Sequence, residues 1–205
     1  MKFTELYVNG EDRTAEMREI AKIIGLDALG ERYSSLLHYQ LAVSYISGEL
    51  NYLRVMREID ALERGQSTTT KPPTMFKGPL LGGLWHKHYF VDGMGAMVKN
   101  LINGMNRNGF PWIEERARQV TESGEDYYLT EEDAARIAHD AVIGNWNRRS
   151  VGCQFTGEWI IYAQHEGQNY YLCLANHNDG DNRIRAQIDE ICAAEFPFIN
   201  DLLTG

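Results

Sequence analysis

Residues 158–181, EWIIYAQHEGQNYYLCLANHNDGD, restrict this chain more than any other stretch. Two apolar runs meet at a Gly-containing turn over Glu166–Gln168 and end in a polar knot of His177, Asn178, Asp179 and Asp181. Runs of this length rich in Ile, Tyr and Leu, separated by a Gly-containing turn, predict an antiparallel β-hairpin. A lone hairpin is marginal in water, so it must pack on helices or gain a third strand, for which Phe3–Val8, with its alternating FTELYV, is the candidate.

The rest of the chain reads as helix. Thr14–Ile24 carries a stripe of Met17, Ile20, Ala21, Ile23 and Ile24 that stops at Gly25. From Glu31 to Arg64 apolar residues recur at three- and four-residue spacing, so a long central helix is expected, with Gly48 able to kink or split it. Residues 66–83 hold three of the five prolines and read as a long, flexible surface loop. Leu84–Asn106 is expected to be a helix with Leu84, His88, Val91, Gly95, Val98, Ile102 and Met105 on one face. Pro111 opens a further helix, Thr130 and Asp133 form a capping box for another, and Asp181 begins a last one that must end before Pro197.

The predicted architecture is therefore α+β: mainly a helical bundle with a small C-terminal antiparallel β-hairpin or sheet and a C-terminal helix. The expected single domain spans 1–205, with a helical body over 11–147 and the hairpin plus helix over 155–203. At 43% apolar and 24% charged residues, the composition is that of an ordinary globular chain. No apolar run reaches the roughly 18–20 residues of a bilayer span, and the first residues lack the order of a signal peptide. A bacterial-type cytoplasmic protein with no membrane partner is expected. The three cysteines form no C-x-x-C pair, which argues against a disulfide frame or a thiolate metal site.

The net charge of -9 is unevenly placed. Residues 1–109 carry 13 Lys and Arg against 12 Asp and Glu, while residues 110–205 carry 7 against 17. That asymmetry suits contact with a basic protein surface better than with nucleic acid, which calls for a basic face. The first expectation is thus an acidic interaction or regulatory protein of the inhibitor or immunity type. Its partner surface would use Asp179, Asp181, Asp189 and Glu190, with His86 and Lys87 contributing beside the proline-rich loop. No cofactor and no metal are expected.

The alternative is a small metal-independent ribonuclease or toxin-like phosphodiesterase. At the ~3.3 Å rise of a strand, His165 by the turn and His177 at the far end stand roughly 26 Å apart, so the two cannot act together. His177 is the stronger candidate as acid or base: in one register Glu158 stands opposite and would orient its imidazole, and Arg149 would hold the anion. On a helix, His86 and His88 point about 200° apart and cannot share a ligand; on a strand that argument reverses. Asn178, Asp179 and Asp181 offer oxygen ligands for a cation, though without the spacing of a calcium loop, and their simpler role is as turn and helix cap. The spacing of Arg32 and His38 resembles the R-x4-6-H pattern of helical HEPN ribonucleases, which would imply a catalytic pair at those positions. In this chain the pair comes early and Tyr33 follows the arginine, where those enzymes usually carry a polar residue.

Overall fold

The computed structural model describes residues 7–8, 10–124 and 128–203. Strands β1 (Tyr7–Val8) and β2 (Glu11–Asp12) pair with each other, so Tyr7 and Val8 do not extend the C-terminal sheet; residues 3–6 of the expected strand lie outside the described residues. Helix α1 (Thr14–Ile24) stops at Gly25, whose φ of 85° is left-handed. The expected long helix is two. Helix α2 (Ser35–Ser47) begins at Ser34, whose hydroxyl accepts from the Leu37 amide, and ends at Gly48 with φ 70°; α3 (Tyr52–Glu63) follows. A left-handed residue cannot continue an α-helix, which decides between kink and split.

The larger correction lies in the middle of the chain. Strand β3 (Thr74–Met75) interrupts the proline-rich segment, and Trp85–Tyr89, expected to be helical, is strand β4. Helix begins only afterwards, as α4 (Met94–Asn108), α5 (Pro111–Ser123), α6 (Glu131–His139) and α7 (Asn145–Val151), with a π-turn at Asp140–Gly144 between the last two. The capping box of Thr130 and Asp133 is present. The hairpin is β5 (Glu158–His165) and β6 (Gln168–Ala175). Its two-residue turn has φ 51° at Glu166 and 74° at Gly167, the doubly positive pattern whose twist matches antiparallel strands. Then come α8 (Asp181–Gln187), a π-turn over Ile188–Cys192, α9 (Ala193–Glu195) and α10 (Phe198–Leu202).

The protein is α+β, but the sheet is an antiparallel four-stranded layer in the order β3-β4-β5-β6 rather than a hairpin on a bundle. Alternation along each strand divides the core. Ile160, Tyr162, Tyr171 and Leu174 meet α1–α3, while Ile161, Ala163, Leu172 and Cys173 meet the C-terminal helices. A bulge between Ile161 and Tyr162 shifts the register midway along the hairpin. The outer edge of β6 is covered, as an exposed edge would invite strand pairing. The Tyr171 amide donates to the Arg32 carbonyl at 2.9 Å, and the Gln40 side chain takes both backbone groups of Leu174 at 2.7 and 2.9 Å. No described helix is long and apolar enough to cross a membrane.

Candidate functional site

Because 85–89 is extended, its side chains alternate between two faces, and the residues of WHKHY fall into two unlike environments. Trp85 and Tyr89 join the apolar core above the sheet, with Lys87 buried on the same side. His86 and His88 face the other way. Trp159 is the register partner of His88 on β5, and His177 lies two residues beyond the last strand pair, Trp159 with Ala175.

These residues meet. The ring centroids of His86 and His88 lie 5.5 Å apart, as do those of His88 and His177. Trp159 touches two of the three, at 5.3 Å from His86 and 4.4 Å from His177, and Phe76 covers His86 at 4.6 Å. Three imidazoles and two apolar rings thus form one continuous ring cluster at the end of the sheet.

One backbone carbonyl organises it. Gly157 O receives His88 Nδ1 at 3.0 Å and His177 Nε2 at 2.8 Å. A carbonyl only accepts, so both ring nitrogens donate: His88 carries its proton on Nδ1 and His177 on Nε2. The Gly157 amide also approaches His88 Nδ1, at 3.4 Å, but a nitrogen that donates to the nearer carbonyl cannot accept as well. His177 is left with a free Nδ1. Glycine is required at 157, since a Cβ there would sit 1.8 Å from the Tyr89 carbonyl oxygen.

The loop bearing His177 is held by carboxylates. Glu158 Oε2 accepts from the His177 main-chain amide at 2.8 Å, and Asp179 Oδ2 from the Asn176 amide at 2.6 Å. Glu158 and His177 are therefore together, but through the backbone; the imidazole itself is oriented by Gly157. Arg149 is elsewhere engaged. Its buried guanidinium bonds Asn100 Oδ1 at 2.9 Å and the Gln154 carbonyl, tying α4 to α7 and to the segment that leads into β5.

Electrostatics set the protonation of the cluster. Burial pushes His88 down to about 4, helped by His86, His177 and Lys71 and opposed by its bond to Gly157. His86 is lowered as well, first by burial, then by the charges of His177 and Lys71. Buried imidazoles without a carboxylate partner favour the neutral form. His86 Nδ1 is buried and has no hydrogen-bond partner.

On the opposite face, Lys87 Nζ lies 3.0 Å from Glu58 Oε2, with both side chains almost wholly buried. It also donates to Thr68 Oγ1 at 2.9 Å, to the Lys71 carbonyl at 2.8 Å and to the Thr70 hydroxyl. Lys87, expected on the surface, is a structural group beneath the histidines. Thr70 completes the link, donating to the His88 carbonyl at 2.9 Å.

The remaining candidates are dispersed. His165 stacks on Phe198 at 4.0 Å beside the hairpin turn, far along the ladder from His177. Asp189 is bound to Arg185 at 2.8 Å, Arg183 approaches Asp179 at 3.8 Å, and Asp181 and Glu190 are exposed. Arg32 pairs with Glu63 at 2.6 Å, and His38 Nε2 bonds the Met17 carbonyl at 2.8 Å, so each has its own structural partner. Among the described residues no three His, Cys, Asp or Glu side chains are arranged to hold a metal ion.

His86, His88 and Trp159 were missed as a unit because the 84–106 stretch reads equally well at helical spacing. The available signal was the five-residue WHKHY between Gly82-Gly83 and Asp92-Gly93, a strand-length segment bounded by turn formers. No protein-family model, curated protein or solved structure matches this chain significantly.

Proposed function

We propose that the protein is a ribonuclease that cleaves single-stranded RNA by general acid–base catalysis at the His86–His88–His177 cluster. The observation that carries this reading is the shared Gly157 carbonyl, which fixes two imidazoles in defined tautomers beside a third and beside the half-buried Trp159. RNA supplies its own nucleophile, the 2′-hydroxyl, so a pair of positioned imidazoles suffices for the proton transfers. His86, held in its neutral form, takes the 2′-hydroxyl proton as O2′ bonds to phosphorus. His177 serves as the acid, keeping its Nε2 bond to Gly157 and giving a proton from Nδ1 to O5′ as the P–O5′ bond breaks. The products are a 2′,3′-cyclic phosphate and a free 5′-hydroxyl.

The other parts take supporting roles. His88 is too buried to touch substrate and stays uncharged, spacing the two working rings. Lys71, close enough to depress both His86 and His88, balances the phosphate charge. Phe76 and Trp159 offer ring faces on which an unpaired base stacks, a contact generally worth about 1–3 kcal/mol per base. Glu158 fixes the loop of His177, while Arg149 has a structural role.

The test is cleavage of a fluorescent single-stranded RNA by the purified chain. His86→Ala and His177→Ala are each expected to lower the rate at least a hundredfold with the fold intact by circular dichroism. Undiminished cleavage by both variants, or none by the parent protein, refutes the reading.

A second reading, an acidic protein acting by capture of a basic partner, is favoured by the exposed carboxylates of Asp181 and Glu190 in the C-terminal half. Neutralising Asp179, Asp181, Asp189 and Glu190 together would then weaken capture and its salt sensitivity, with His177→Ala having little effect.

A further inference from the structure

A groove of about 480 Å³ runs along α2 behind the loop that carries His177. Its apolar side is Tyr39, Val43 and Leu50, and its acidic side is Glu49, Glu158 and Asp179. Among the described lining residues Arg183 is the one cation, and it already approaches Asp179 at 3.8 Å. The apolar side does not end at the groove, for Ile46, one helical turn from Val43, is 65% exposed. A floor of this kind, continuous with uncovered helix surface and acidic along one rim, fits a chain segment better than a small molecule.

Two of its carboxylates also serve the site. Glu158 holds the His177 amide at 2.8 Å, and Asp179 holds the Asn176 amide at 2.6 Å. A cation arriving in the groove competes for these oxygens and releases the loop from its anchors. With the loop released, His177 leaves the Gly157 carbonyl, and the arrangement of imidazoles is lost.

We propose that the groove is the docking site of a cationic, amphipathic segment of a protein partner, and that its occupation switches off the His177 site. The regulatory half of this inference rests on the ribonuclease reading; the docking half does not. Charge complementarity identifies the occupant: Lys or Arg side chains meet Glu49, Glu158 and Asp179 while the apolar edge of the segment covers Val43 and Leu50.

The probe is a synthetic peptide of alternating leucine and arginine, with its leucine–glutamate counterpart as control, titrated into the ¹⁵N-labelled full chain. The expected result is saturable binding of the cationic peptide alone, with amide shifts confined to residues 39–50, 89–91, 157–158 and 174–187 and including His177. Glu49→Lys and Val43→Asp, both surface changes outside the catalytic cluster, are each expected to weaken binding at least tenfold, and Asp189→Asn less than twofold. Shifts spread over the acidic helices α5 and α6, or equal affinity for Glu49→Lys and the parent, overturn the docking site. RNA cleavage measured in the same titration should fall in step with occupancy. Cleavage that persists at saturation overturns the switch, and groove binding by a chain that cleaves no RNA at any peptide concentration overturns the ribonuclease reading while the docking stands.

Discussion

Replacing Lys87 by methionine removes an ammonium from a buried polar knot while keeping most of the side-chain volume. What remains is Glu58, 5% exposed, with one hydroxyl donor, Thr68 at 2.6 Å, since the Thr70 proton goes to the His88 carbonyl. Breaking one side of a buried ion pair strands the other charge, at a typical cost of about 3–5 kcal/mol. Removing both sides avoids that penalty. The double variant Lys87→Met with Glu58→Met is therefore expected to recover at least about 2 kcal/mol of the single variant's loss. Urea unfolding measures this directly, as a fall in midpoint for Lys87→Met at unchanged slope, partly reversed in the double variant. The loss should also reach the site, because Lys87 holds the Lys71 carbonyl and Thr70 holds that of His88. A single variant within about 1 kcal/mol of the parent, or a double variant less stable than the single one, would refute the account of this knot as a paired buried charge.

Three further outcomes follow from the same geometry. Gly157→Ala forces a Cβ against the Tyr89 carbonyl at 1.8 Å, so β4 and β5 must part; a loss of about 3 kcal/mol or more is expected in unfolding experiments, together with dispersal of the His88 and His177 imidazole resonances. His88 is lowered from 6.5 to about 4, so the folded chain binds fewer protons than the unfolded one across that window. Stability is then full above about pH 6.5 and falls by up to about 3 kcal/mol as the pH drops through 4, a slope that unfolding of His88→Asn at several pH values should show reduced. Burial pushes the Cys192 thiol up to about 12 and raises Cys173 too, whereas Cys153 is partly exposed. A thiol reagent at pH 8 should modify one cysteine of the native protein quickly, Cys153 by mass spectrometry, and all three only after unfolding.

The hairpin, the Gly25 stop, the capping box at Thr130 and the Pro111 helix start were legible because each rests on local chemistry. The split of 31–64 was legible as an alternative only, since Gly48 permits a left-handed turn but nothing in its neighbours demands one. The 84–106 stretch failed for a different reason. Leu84, His88, Val91 and Gly95 lie at helical spacing by coincidence, while the partner that makes 85–89 a strand, Ile160 opposite Lys87, is more than seventy residues away. Non-local pairing leaves no mark in a local window. The site inherited that error: His177 and Glu158 were found because both belong to the hairpin, whereas His86 and His88 join them only through β4. Arg149 was placed near the anion by its position in the chain, before the structure put it on Asn100. Burial of Lys87 is likewise invisible in sequence, for a lysine between two histidines reads as surface until Glu58 is seen beside it.

The most direct test of the central claim is the chemistry of the cut ends. A single-stranded RNA incubated with the purified chain and resolved by mass spectrometry should give a 2′,3′-cyclic phosphate and a 5′-hydroxyl at each new terminus, with an otherwise identical oligonucleotide carrying a single 2′-deoxy sugar left whole at that position. New 5′-phosphate ends, or cutting at the deoxy position, would contradict a site built on paired imidazoles and the substrate's own hydroxyl.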